Sequence, residues 1–263
     1  MKKNKILKKL PSLLLITAML AVGAGCCTSF RNIAQKEPQK NEEKHATINH
    51  IKNATVALIL KEEELAVYCG GVWIGENRIL TANHCAEVFG RSFFQLPEEF
   101  PYDAVGDVIT FINNVDYEKN EEIPSEVAWL GIVSSVDKTH DLATIQVLSA
   151  TSAHTIVNLT NEAIFSGKEI QTFGHKIGLA WSYDKGVVSS TRKMQGPTMG
   201  DVTVETKVLQ ISAPVWVGNS GGGAFDEKGN LLGICSWVTL RAPNVSFFIH
   251  KEEIENFLKK SLQ

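Results

Sequence analysis

The chain has 263 residues, 44% of them hydrophobic and 21% charged, enough apolar material for one compact unit or two small subdomains sharing a cleft. The formal charge of -3 hides an asymmetry: residues 1–25 carry Lys2, Lys3, Lys5, Lys8 and Lys9 and no acid, leaving 21 bases against 29 acids, a formal -8, in the remainder. Such an acidic chain lacks the clustered Lys and Arg that phosphate binding needs, which excludes a nucleic-acid partner.

The basic start runs into an apolar stretch from Leu10 to Val22, interrupted by Pro11, Ser12 and Thr17, and then into Gly23, Ala24 and Gly25. That three-part order is expected of a secretory signal peptide over residues 1–25. The apolar run is shorter than the roughly 20 residues a membrane-spanning helix wants. Cys26 and Cys27 follow at once, an arrangement that resembles the lipobox of bacterial lipoproteins, although Gly23 stands where Leu is usual. It implies either lipidation of Cys26, attaching an exported chain to a membrane, or ordinary cleavage nearby without lipid.

Residues 26–48 are polar and charged, with almost nothing to bury, and read as a flexible tether. From Ala54 the chain turns to short, β-branched apolar runs: Thr55 to Leu60, Val105 to Ile112, Leu142 to Leu148 and Val202 to Ile211. Ala224–Asp226 and Leu231–Val238 flank Glu227-Lys228-Gly229-Asn230, a hairpin-type turn. Many short strands with few helical windows predict an all-β barrel or sandwich. The last segment, Lys251 to Lys260, is helical by the spacing of Ile254, Phe257 and Leu258, with acids early and lysines late.

Three segments carry chemistry. Thr81-Ala82-Asn83-His84-Cys85 ends a predicted strand with a base; His140-Asp141-Leu142-Ala143 opens another with an acid; Gly218-Asn219-Ser220-Gly221-Gly222 sets a hydroxyl among glycines, which permit a sharp turn and close approach. Together, and in the order His, Asp, Ser, they resemble the histidine, aspartate and nucleophile motifs of the trypsin/chymotrypsin-like serine peptidases, from about Ala54 to the end. The bacterial high-temperature-requirement peptidases are the nearer branch, on the nucleophile motif, the turn at Gly186-Val187-Val188-Ser189 and Val245 to Ile249; the peptide-binding C-terminal domain of that branch is not seen here.

The resemblance implies a chymotrypsin-like double antiparallel β-barrel with a short C-terminal helix, the first barrel over residues 49–154 and the second over 155–263. It implies a serine endopeptidase acting on proteins or peptides through an acyl-enzyme. Ser220 is then the nucleophile, His84 its base and Asp141 the group that orients the imidazole. The backbone N–H groups of Gly218 and Ser220 form the oxyanion hole, and no cofactor or metal is required. It also implies a disulfide between Cys69 and Cys85. Ser236 and Trp237 line the substrate backbone. Pro214 replaces the Asp that gives trypsin-like members their basic preference, and Val238 narrows a pocket mouth often opened by Gly, so small or medium apolar residues are favoured before the scissile bond. Asn219 replaces the Asp of zymogen-activated members, so no activation by N-terminal cleavage is expected.

Two rivals differ in class. A non-catalytic binding protein of the same fold usually loses a triad residue, and none is lost here. An α/β-hydrolase esterase needs the order Ser, Asp, His within a strand–elbow–helix. Of the remaining groups, His45 and His50 read as solvated, His154 has no partner motif, His175 reads as structural, His250 as a cap or packing residue, and Cys235 as a buried thiol. The Arg91 to Ser134 segment is either part of the substrate cleft or packing for the first barrel.

Overall fold

The structure, a computed structural model, describes residues 41–61, 65–94, 103–113, 129–148, 153–195, 205–239, 242 and 244–261. The chain divides into two units, 1–45 and 46–263. The expected signal peptide, Cys26 and most of the expected tether lie outside the described residues. The described part of the tether, 41–48, belongs to a helix, α1, over 41–53. In this helix Ile48 and Ile51 share a face at i, i+3, and Ile51 is fully buried in the core of the second unit.

Twelve strands follow among the described residues. The first six are β1 (Thr55–Lys61), β2 (Leu65–Gly75), β3 (Arg78–Thr81), β4 (Val108–Asn113), β5 (Trp129–Asp137) and β6 (Leu142–Val147). They close into an antiparallel barrel in the order β1-β2-β3-β6-β5-β4. The second six are β7 (Glu169–Gly174), β8 (Ser182–Gln195), β9 (Glu205–Ile211), β10 (Gly223–Phe225), β11 (Leu231–Val238) and β12 (Ser246–His250). They close as β10-β11-β12-β9-β8-β7. The expected double barrel is therefore the fold. β10 and β11 form the expected hairpin, its turn tied by Asp226, whose carboxylate accepts from the N–H groups of Lys228 and Asn230.

The core explains why so many strands read as unbroken apolar runs. One cluster fills the first barrel (Val56, Leu58, Trp73, Ile79, Phe111, Ile145) and another the second (Ile170, Val188, Leu209, Leu232, Phe248). A third contains residues of both barrels. Strand side chains alternate between faces, so β1 sends Val56 and Leu58 into its own barrel and Ala57 and Ile59 into the shared cluster. Likewise β12 sends Phe248 inward and Phe247 and Ile249 to the shared cluster.

Two further α-helices lie among the described residues. α2 (Asn83–Phe94) follows β3 directly and was not foreseen by strand counting; α3 (Lys251–Lys260) is the expected terminal helix. His250 caps α3, its Nδ1 accepting the Glu252 N–H at 3.1 Å, while Ile254 and Phe257 are buried.

Candidate active site

His84 lies in the first turn of α2, immediately beyond the end of β3. The disulfide between Cys69 of β2 and Cys85 of α2, which the resemblance implied, is formed and fixes that turn. Asp141 ends the turn between β5 and β6 with φ of 54°, a left-handed conformation that a non-glycine residue adopts only when its surroundings hold it. The holding groups are visible. His84 N–H donates to Asp141 Oδ1 at 2.9 Å, His84 Nδ1 lies 2.8 Å from Oδ2, and Ser236 Oγ donates to Oδ2 as well. An ionised carboxylate only accepts, so Nδ1 carries the proton and Nε2 is left as the acceptor.

Burial of the His84 ring pulls its pKa down, but attraction to Asp141, the hydrogen bond between them and attraction to Glu87 outweigh that, and the net shift is upward. His84 therefore holds a proton to higher pH than an ordinary histidine and is a correspondingly stronger base.

The segment bearing Ser220 belongs to the second barrel and is pinned to the first. Gly70 N–H of β2 donates to the Ser220 carbonyl at 2.7 Å. Gly221 (φ 79°) passes so close to β2 and β3 that a Cβ there would sit 2.2 Å from Gly70 O and from Thr81 Oγ1. Gly218 (φ 97°) lies against the His175 carbonyl, where a Cβ would be 2.2 Å away. Only glycine fits either position. Asn219, Gly221 and Gly222 donate their N–H groups to Trp216, Cys235 and Asn219 carbonyls. The N–H groups of Gly218 and Ser220 have no acceptor among the described residues, as donors reserved for a ligand would not. Ser220 Oγ and His84 Nε2 are not hydrogen-bonded to each other; such contacts often tighten only with substrate bound.

Beneath this segment lies a seam between the barrels that the sequence left as a structural turn. His175 is fully buried. Its Nε2 lies 3.0 Å from Val56 O of β1, and its Nδ1 accepts the Trp181 N–H at 3.2 Å. Trp181 Nε1–H in turn donates to Thr55 O at 3.2 Å. Burial pushes the His175 pKa down to about 4, partly opposed by the bond to Val56. Ile177 and Trp181 also have positive φ, and Ile177 N–H donates to Val217 O. Asp141, Ile177 and Trp181 are the non-glycine residues in this region of φ among those described; the first pairs with His84 and the other two belong to this seam.

The other expected positions are placed as follows. Pro214 is exposed, Trp237 is half-buried and stacks on Phe247, and Val238 is half-buried against the interior of the second barrel. The Ser236 hydroxyl donates to Asp141 and so supports the acid. Among the described residues the one cluster with metal-ligand spacing is Cys69, His84 and Cys85, and both its sulfurs are consumed by the disulfide. Cys235 is buried and unpaired as expected, its thiol pKa pushed up by burial and by Asp141. His50, read as solvated, is half-buried, and burial lowers its pKa. His154 stacks on Trp73 at 3.8 Å.

Two closed six-stranded antiparallel barrels, with a His–Asp pair on one and a glycine-flanked Ser on the other, define the chymotrypsin-like peptidase fold. A family model described as trypsin-like peptidase domain matches residues 69–234, and the chain belongs to that family. It is 24% identical over 187 residues to human Serine protease HTRA4, covering 69% of this chain and 37% of that protein. It is 32% identical over 117 residues to Uncharacterized protein y4bJ of Sinorhizobium fredii, covering 42% of this chain and 16% of that one. The chain thus spans well under half the length of these relatives. The solved active form of the Rv3671c protease of M. tuberculosis superposes with a TM-score of 0.62 at 17% identity, covering 81% of this chain and 83% of that one, a likeness of fold.

Proposed function

We propose that the protein is an exported serine endopeptidase in which Ser220 attacks the scissile carbonyl, His84 takes and returns the proton, and Asp141 holds the imidazole tautomer and favours its cation. The observation that carries this reading is the His84–Asp141 pair, with Nδ1 protonated towards the acid and Nε2 left to accept. The Gly218 and Ser220 N–H groups, without an acceptor among the described residues, suit the oxyanion of a tetrahedral intermediate, each such donor being worth ~10²–10³ in rate. Proteins or peptides are the substrates. Pro214 offers no counter-charge for Lys or Arg, and Val238 narrows the pocket, so small or medium apolar residues are favoured before the cleaved bond. The signal-like residues 1–25 support a periplasmic or extracellular location, and Cys26 supports attachment to a bacterial membrane through lipid.

The test is mass spectrometry of the mature protein after reaction with a fluorophosphonate, beside Ser220→Ala. A single adduct on Ser220, absent from the variant, is expected, and the same spectrum reads the N-terminus for lipid. No adduct on folded protein would assign the chain to the non-catalytic binding proteins of this fold. A peptide-library profile led by Arg or Phe would overturn the pocket assignment alone.

A further inference from the structure

His84 opens α2, and that is an unfavourable place for a cation. The first turn of a helix carries the positive end of its macrodipole, and the first turn of α2 holds no acid. Glu87 lies three residues on, at the spacing where helix side chains become neighbours. Its side chain is only 5% exposed. Its partners include Asn83 Nδ2, at 3.1 Å, from the residue preceding His84, and Lys138 Nζ, at 3.5 Å, from the turn that delivers Asp141. Two bridges therefore join α2 to the same turn, His84 to Asp141 and Glu87 to Lys138. Burying a carboxylate costs several kcal/mol of solvation, so the position is not one where an acid would settle for packing alone.

We infer that Glu87 is a positioning residue that acts through His84: alongside Asp141 it favours the imidazolium that forms when Ser220 gives up its proton, and Lys138 sets how much of its charge His84 feels. The inference rests on the peptidase reading above. The charged groups that raise the His84 pKa are Asp141 from the β5–β6 turn and Glu87 from its own helix; Lys138 is bridged to Glu87. In the same turn Asp137 and His140 are taken up with each other at 2.8 Å, and His140 also faces Glu253 of α3.

The experiment is the second-order rate of fluorophosphonate inactivation of the full chain, followed from about pH 5 to 9, where the rise reports loss of the His84 proton. Glu87→Gln keeps the shape and the acceptor for Asn83 while removing the charge. It should move the midpoint of the rise down by about half a pH unit, the size of one neighbouring charge at high effective dielectric. Lys138→Met should move it up. A merely structural role for Glu87 would lower the plateau rate and leave the midpoint in place. Unmoved midpoints, or midpoints moving the same way in both variants, would overturn the inference while leaving the peptidase assignment intact. If Glu87→Gln does not fold, Lys138→Met at the half-exposed surface decides by the sign of its shift alone. Wild-type protein that never reacts defeats the peptidase reading, and the inference with it.

Discussion

Replacing His175 by Gln isolates what it costs to keep a neutral imidazole at the seam between the barrels. The folded ring titrates near 4, against an ordinary value of 6.5, because it is fully buried. As pH falls, the unfolded chain takes up a proton near 6.5 while the folded ring stays neutral until about 4. This contribution to stability is therefore intact above the unfolded pKa, declines between the two values, and stops changing below the folded one. At about pH 4.5 the deficit amounts to about 2.5 kcal/mol for this one ring. Glutamine removes the titration and keeps one donor and one acceptor for Val56 O and the Trp181 N–H. It should cost about 1–3 kcal/mol at neutral pH through imperfect replacement of those bonds. Urea unfolding followed by tryptophan fluorescence, at about pH 7 and about pH 4.5, measures both quantities. Wild type should lose about 2.5 kcal/mol more than the variant on acidification. His250, also held near 4 by burial and by Lys207, is present in both proteins and cancels from the difference. Equal losses would mean that His175 is not a buried neutral ring, and the seam would need another account.

Asp141→Asn should preserve the fold but remove the acceptor that sets the His84 tautomer, lowering fluorophosphonate reactivity by ~10³–10⁴ with an unchanged circular dichroism spectrum. Joint replacement of Cys69 and Cys85 by Ala should lower unfolding stability by about 3 kcal/mol, given the size of the loop they close. Denaturant unfolding of the variant beside wild type checks this, and equal stabilities would refute it.

Much of the site was legible because its chemistry is local in sequence. His84, Asp141 and Ser220 each stand in a short motif, and their order along the chain excluded an α/β-hydrolase. The apolar runs named six of the twelve strands among the described residues. Strand counting failed at α2, because Asn83 to Phe94 begins with a motif that reads as the end of a strand, and only the helical phase brings Glu87 beside His84. Residues 41–48 read as polar by composition, and the helix to which they belong came only with the structure. Ser236 was placed along the substrate path by its neighbours in sequence, and its hydroxyl turns out to serve Asp141 across the barrel interface.

What the sequence determined by itself was the family, through its motifs, and the strand-rich fold class, since motif chemistry, glycine placement and apolar period are properties of consecutive residues. What only the tertiary structure decided were the contacts between barrels: Gly70 with Ser220, His175 with Val56, Trp181 with Thr55 and Ser236 with Asp141. Each joins residues far apart in the chain, and several run through backbone carbonyls and N–H groups, which every residue possesses. No pattern of side-chain types could announce them. They arise from the closure of two barrels whose strands bury both faces, which forces the polar backbone at the seam to find partners in the opposite barrel.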